Sequence, residues 1–219
     1  MTTTMSKATI CNLALAHIGN TKGLSNVDTD TTVEANMCRL FYDQCLNDMF
    51  ESFQWPFART RADLGLVEND PTPNWAYSYR MPSDAGRLIA VGDTDLFVAW
   101  DWNWAGNWNE HNLGMIRIPL PLYEVVGDSA GKLIYTNIVD AVIYYERRVT
   151  TPTLWPVAFA NALAWKLAAE IALPLSRDPN LAQNAERRYE QEVSRAYAAQ
   201  LNESPTEIVE DSEIVRAYN

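Results

Sequence analysis

The sequence predicts an α+β protein: a four-helix bundle of two N-terminal and two C-terminal helices, with an antiparallel β subdomain inserted between its halves. Three observations predict it. Apolar residues recur every three or four positions before Trp55 and again after Thr153. Between Phe57 and Thr150 they come instead in short β-branched and aromatic runs. The length of 219 residues, 47% of them hydrophobic, holds one domain with a grafted subdomain and a real core.

In the N-terminal segment, residues 1–56, Ile10, Leu13, Ala14 and Ile18 share a helical spacing from Ser6 onward, and Gly19-Asn20 supplies the stop. A polar loop through Gly23, Ser25 and Asp28 leads to Thr31-Thr32-Val33-Glu34, a capping-box pattern that starts the second helix. Val33, Met37, Leu40, Phe41, Cys45, Met49 and Phe53 carry it to Trp55-Pro56, where proline removes a donor and biases its predecessor away from helix.

The β subdomain, 57–150, is predicted from Tyr77, Tyr79, Leu88 to Val91, Leu96 to Trp100, Met115 to Ile118, Leu133 to Tyr135 and Val142 to Tyr145. Gly92-Asp93, Gly106-Asn107, Gly127-Asp128 and the pairs Pro71/Pro73 and Pro119/Pro121 punctuate these runs.

In the C-terminal segment, 151–202, the stretch Leu154 to Leu175 is long enough to span a bilayer and is bracketed by Pro156 and Pro174. Lys166 and Glu170, one turn apart near its middle, are expensive in lipid, so a helix buried in protein is expected. Being apolar on nearly every side, it must be covered all round, by its own domain or by a neighbouring subunit. Asp178-Pro179 opens the last helix as N-cap and first helical residue, and Leu181, Ala185, Tyr189, Val193 and Ala196 form its apolar stripe. Residues 203–219 carry Glu203, Glu207, Glu210, Asp211 and Glu213 against Arg216, and are expected to be an acidic tail that orders on a partner.

The net charge of −11 has the wrong sign for a protein that gains affinity by neutralising phosphates, which argues against sequence-specific DNA binding. Cys11, Cys38 and Cys45 are an odd count inside predicted helices, and a two-turn separation keeps Cys38 and Cys45 from pairing. Buried thiols and a reducing, cytoplasmic origin follow. The Thr-rich start has neither a basic n-region nor a lipidation signal, so no export is expected.

Gly127-Asp128-Ser129-Ala130-Gly131 matches the G-x-S-x-G nucleophile elbow, which needs a strand-to-helix turn and a later His. Lys132 to Thr136 continues as a strand, and His17 and His111 both precede Ser129, so a hairpin turn is the better account. As a phosphate cradle the loop has the wrong spacing before Lys132. The cysteines and histidines lack metal-ligand spacing. No catalytic residue, cofactor or metal is assigned.

Trp100, Trp102, Trp104 and Trp108 are the most unusual local feature, since alternation puts the first three on one face of a strand. Such indoles serve either as an inter-subunit or core anchor, or as platforms for sugar rings flanked by Asp101, Asn103 and Asn107. The candidate interface residues are accordingly Trp100, Trp102, Trp104 and Trp108, Leu163 and Leu167 of the apolar helix, and Glu207, Glu210 and Asp211 of the tail.

Four blocks in succession, Ala8-Thr-Ile-Cys-Asn-Leu-Ala-Leu-Ala-His-Ile-Gly19, Trp55-Pro56-Phe57-Ala58, Tyr79-Arg-Met-Pro-Ser-Asp84 with Arg87-Leu-Ile-Ala-Val91, and Ala162-Leu-Ala-Trp-Lys-Leu-Ala-Ala-Glu-Ile-Ala-Leu-Pro-Leu175, resemble the bacteriophage tail tubular protein A, or head-to-tail adaptor, family. The resemblance runs from about Lys7 to Leu201, and its strength lies in the order of the blocks. It implies a non-enzymatic virion protein at the head-tail junction, present in the host cytoplasm during assembly. Its partners would be a portal protein, a downstream tail or nozzle protein, and further copies of itself in a ring, expected to be a dodecamer. Genomic DNA would pass through that ring without sequence-specific binding, and no membrane insertion is implied. The tryptophan segment is not part of the shared pattern. A negative lumen would repel the phosphates of passing DNA, which fits an acidic chain.

Overall fold

The computed structural model describes residues 5–93 and 123–202. Within them the protein is α+β, with four α-helices and two antiparallel sheets. The helices are α1 (Lys7–His17), α2 (Val33–Ser52), α3 (Val157–Ser176) and α4 (Pro179–Asn202). The strands are β1 (Arg59–Asp63), β2 (Gly65–Thr72), β3 (Trp75–Arg80), β4 (Ala85–Gly92), β5 (Tyr123–Asp128), β6 (Gly131–Thr136) and β7 (Val142–Arg147). One sheet has the order β1-β7-β4 and the other β2-β3-β6-β5.

The described residues divide into two compact units. The helical unit takes residues 5–60, 84–89 and 145–201; the β unit takes 61–83, 90–93 and 123–144. Residues 57–60, 84–89 and 145–150 fall in the helical unit.

Helix ends follow local chemistry. Ser6 Oγ accepts from the Thr9 N–H and starts α1, while Gly19, with φ +78, follows its end. At α2 the cap is Thr32, whose hydroxyl accepts from the Ala35 N–H. The expected Thr31–Glu34 reciprocity is not made, because the Glu34 carboxylate takes the Asn20 amide at 3.3 Å and pairs with Lys22 at 3.2 Å. Asp178 accepts from the Asn180 N–H at 2.8 Å and opens α4. Pro174 lies inside α3 rather than beyond it, and the helix ends at Arg177 in the left-handed region.

The core of the helical unit draws on all four helices. Phe159 is its aromatic centre: the rings of Trp55 and Trp155 meet it at 4.8 and 5.2 Å, and Phe57 at 5.1 Å. Each indole N–H donates to a backbone carbonyl six residues earlier, Trp55 to Met49 and Trp155 to Val149, so neither buried donor is orphaned. On α2 the buried stripe is Ala35, Cys38, Tyr42, Cys45, Leu46, Met49 and Phe50. Val33 and Leu40, expected on that stripe, are 63% exposed. The helix is turned so that small Ala35 and Cys38 face inward, Cys38 against Cys11 of α1, while Arg39 ties down the loop carbonyls of Val27, Asp28 and Asp30.

In the β unit the four-stranded sheet sets Leu66 opposite Tyr79, Tyr79 opposite Ile134, and Ile134 opposite Val125, while β2 shifts register against β3 between Leu66 and Glu68 and again between Asn69 and Thr72. The middle of that row is buried, whereas Leu66 and Val125 on the outer strands are exposed.

Candidate functional site

Leu163 and Leu167 project from α3 into the core of the helical unit and are 0% exposed. As interface candidates they are corrected: the cover that this apolar helix requires comes from its own unit, through α1, α2 and the stripe of α4, and no surface of either side chain remains for a neighbour. Trp100, Trp102, Trp104, Trp108, Glu207, Glu210 and Asp211 lie outside the described residues, as do His111 and the runs 96–100 and 115–118.

The apolar side chains of the helical unit that another molecule can reach are elsewhere. Val33 and Leu40 stand two turns apart on α2, so they share a face; Leu154, Val157 and Leu173 are exposed on and just before α3. Periodicity alone could not find these positions, because each is as apolar as the residues it adjoins.

Of the two charges on α3, Glu170 is exposed and Lys166 is accommodated by protein. Lys166 Nζ lies 3.5 Å from Asp48 Oδ2 and 4.9 Å from the centroid of the Tyr189 ring. By length and composition α3 could cross a membrane, and half of its apolar window is buried within the chain. His17 stacks on Trp165 with ring centroids 3.6 Å apart, and burial pushes its pKa down. Cys11, Cys38 and Cys45 are buried free thiols; burial raises Cys45 to about 12, which keeps it a protonated thiol at neutral pH. Among the described residues, no three His, Cys, Asp or Glu side chains converge on a point where a metal could sit.

Ser129 occupies the turn between antiparallel strands β5 and β6, where Asp128 pairs with Gly131, itself at φ +134. No helix follows, so the strained strand-to-helix elbow is not formed. The chemistry of the turn belongs to Asp128 instead. Its two oxygens receive the Arg80 guanidinium at 2.8 Å each, and Oδ1 also accepts from the Ala130 N–H. The Arg80 bonds hold its pKa at about 2.

One carboxylate is buried without any local sequence signal for it. Glu146 on β7 is 2% exposed; its Oε1 accepts from the Trp55 N–H at 2.8 Å, and Oε2 has no hydrogen-bond partner among the described residues. Burial pushes its pKa up, against the opposing pull of the Trp55 N–H and of the Arg87 and Arg59 charges. Arg87 in turn donates to the Glu51 carbonyl at 2.6 Å, so this cluster fixes the end of α2.

The β unit has an open pocket of about 590 Å³ at the tip of the β2–β3 hairpin, where Asp70, Thr72, Asn74, Trp75 and Asn137 meet. The prolines at 71 and 73, expected only as punctuation, form part of its wall. No protein-family model matches the chain, and no curated protein matches it.

Proposed function

We propose that the chain is a structural protein of a phage virion: a head-to-tail adaptor that assembles as a ring under the portal and extends the channel for the genome. In this reading its four helices pack as one bundle carrying the β unit as an insertion. It binds the portal on one side and the next tail component on the other, and it catalyses no reaction.

One observation carries the proposal: the sequence blocks that resemble the adaptor family, in their order, supply the framework of this fold. The first block is α1, which buries Ile10, Cys11, Ala14 and Leu15. The second contributes fully buried Trp55 with its two hydrogen bonds. In the third, Tyr79 donates to the Ile138 carbonyl, and Asp84 accepts from the Arg148 N–H through its carbonyl. The fourth is α3, whose buried residues include Leu163, Leu167 and Ile171. Blocks used in this way constrain a fold, and a shared succession of them supports a shared architecture.

Two further features suit a ring. Exposed Val33, Leu40, Val157 and Leu173 give the helical unit apolar positions for side-by-side packing, as a closed heterologous ring requires. The net charge of −11 suits a conduit along which DNA slides without adhering.

Electron microscopy of the purified chain, alone and mixed with the portal of the same virus, tests the proposal. A ring coaxial with the portal is the expected result. Folded protein that neither caps the portal nor forms a ring overturns it. A basic inner wall in the ring would refute the charge argument separately.

A further inference from the structure

We propose that the tip of the β2–β3 hairpin is a saccharide-binding site, in which one sugar ring stacks on the Trp75 indole and hydroxyls of the sugar bond to Asp70 and Asn74.

The first argument is preorganisation. The Trp75 N–H donates to Glu124 Oε2 at 2.9 Å, which holds the indole in one orientation without using its ring face. Asn137 fixes the backbone of the tip: its Oδ1 accepts from the Ala76 N–H at 2.8 Å, and its amide donates to the Asn74 carbonyl at 3.4 Å. The platform and the wall of the pocket are therefore set before any ligand arrives, which lowers the ordering cost of binding.

The second argument is unused hydrogen-bonding capacity. Among the described residues, Asp70 and the Asn74 side-chain amide make no hydrogen bond or ion pair, although both line the pocket. A carboxylate accepts only, and an amide both donates and accepts. Between them they match the hydroxyls of a sugar, each of which does both. The hydroxyl of Thr72, in the same wall, is buried without a partner among the described residues and adds a third polar group for a ligand that shifts the tip slightly.

The third argument concerns ligand class. No Lys or Arg lines the pocket, and Asp70 is in its wall, so an anion such as a phosphate or an acidic peptide is disfavoured. The mixture of an indole and prolines with a carboxylate and amides calls for a neutral ligand with an apolar face and a polar rim. The pocket volume, about 590 Å³, lies within the ~300–1,000 Å³ range of small-ligand sites, and its open shape admits the end of a longer glycan. None of the residues lining this pocket belongs to the Trp100–Trp108 segment, and the site does not depend on the ring proposal.

Saturation-transfer NMR with free glucose, galactose, mannose, N-acetylglucosamine and rhamnose tests it, each sugar at about 20 mM because a shallow one-ring site binds in the millimolar range. At least one sugar is expected to receive saturation, most strongly on the protons of one ring face. Trp75→Ala should reduce the signal at least about fivefold. Because Trp75→Ala also removes the Glu124 bond, the exposed double variant Asp70→Ala/Asn74→Ala is measured beside it, with circular dichroism to confirm folding; its signal should fall too. No signal from any sugar with the unaltered chain overturns the proposal. So does a signal that survives in either variant: survival in Trp75→Ala moves binding to another aromatic segment, and survival in the double variant removes the hydroxyl contacts. Portal capping unchanged in the double variant would keep this result distinct from the fate of the ring proposal.

Discussion

The Trp55 N–H and the Glu146 carboxylate meet at 2.8 Å, a bond between residues 91 positions apart that leaves the second carboxylate oxygen buried and unbonded among the described residues. The arrangement satisfies a main-chain donor where α2 has ended and costs a desolvated charge. Glu146→Ala removes the acceptor and strands the buried N–H, which should destabilise the fold by about 1–3 kcal/mol in urea unfolding. A loss below a few tenths of a kcal/mol would show that the bond contributes nothing.

Glu146→Gln separates the hydrogen bond from the charge. Burial raises the pKa of Glu146 in the folded state above its ordinary value of 4.5. The folded state therefore holds the proton more tightly than the unfolded one. Stability from this group is complete below pH 4.5 and is lost as pH rises through the raised folded value. Gln keeps an acceptor for Trp55 and cannot ionise. Its stability relative to the natural chain should thus increase across that window and level off above it; a pH-independent difference would refute the burial argument.

Asp128 has the opposite sign. Its pKa is lowered to about 2 from an ordinary 3.8, mainly by the Arg80 hydrogen bonds. The pair stabilises the β5–β6 turn above pH 3.8, and that contribution is lost as pH falls through about 2. Asp128→Asn, which still accepts from the Ala130 N–H, should be less stable than the natural chain at pH 6, with the gap closing as the medium is acidified. Ser129→Ala, one position further along, should change stability by less than about 0.5 kcal/mol at any pH.

These contrasts mark what a sequence can and cannot disclose. Caps are local, so Asp178-Pro179 and the start of α1 at Ser6 are legible from their own residues. The phase of α2 is not: Ala35 and Cys38 are as compatible with a buried face as Val33 and Met37, and only the packing of α2 against α3 and α1 decides between them. β2 is a polar, mostly exposed outer strand whose order comes from its partner β3, so its pattern carries no alternation to detect. Glu146 sits in a strand where a charged residue ordinarily faces water, and its burial follows from contacts distant in sequence. The hairpin-tip pocket is hidden for the same reason, since Asn137 joins Trp75 and Asn74 only in three dimensions.

Leu163→Asp and Leu167→Asp each put an unpaired carboxylate into a fully buried position of α3. The penalty for such a charge, on the order of 3–5 kcal/mol, is a large part of the stability of a domain this size. Both variants should express poorly or lose their cooperative thermal transition. Native-like unfolding profiles in both would contradict the packing of α3 against α1 and α2.

Val33→Asp/Leu40→Asp asks about assembly without disturbing the core, and so separates the ring proposal from simple stability. Both side chains are 63% exposed, and exposed substitutions commonly stay within about 0.5 kcal/mol. Val33 is also the first residue of α2, where a carboxylate interacts favourably with the helix dipole by about 0.3–1 kcal/mol. The double variant should therefore fold and melt like the natural chain. If neighbouring subunits pack on this face of α2, two charges at the dry centre of the contact are unpaired at every interface of the ring, and the penalty recurs with each subunit. Rings on the portal should then be absent from micrographs while the monomer remains intact by circular dichroism. Normal rings from the double variant would move the subunit contact away from α2, toward Leu154, Val157 and Leu173, where the same pair of measurements can be repeated.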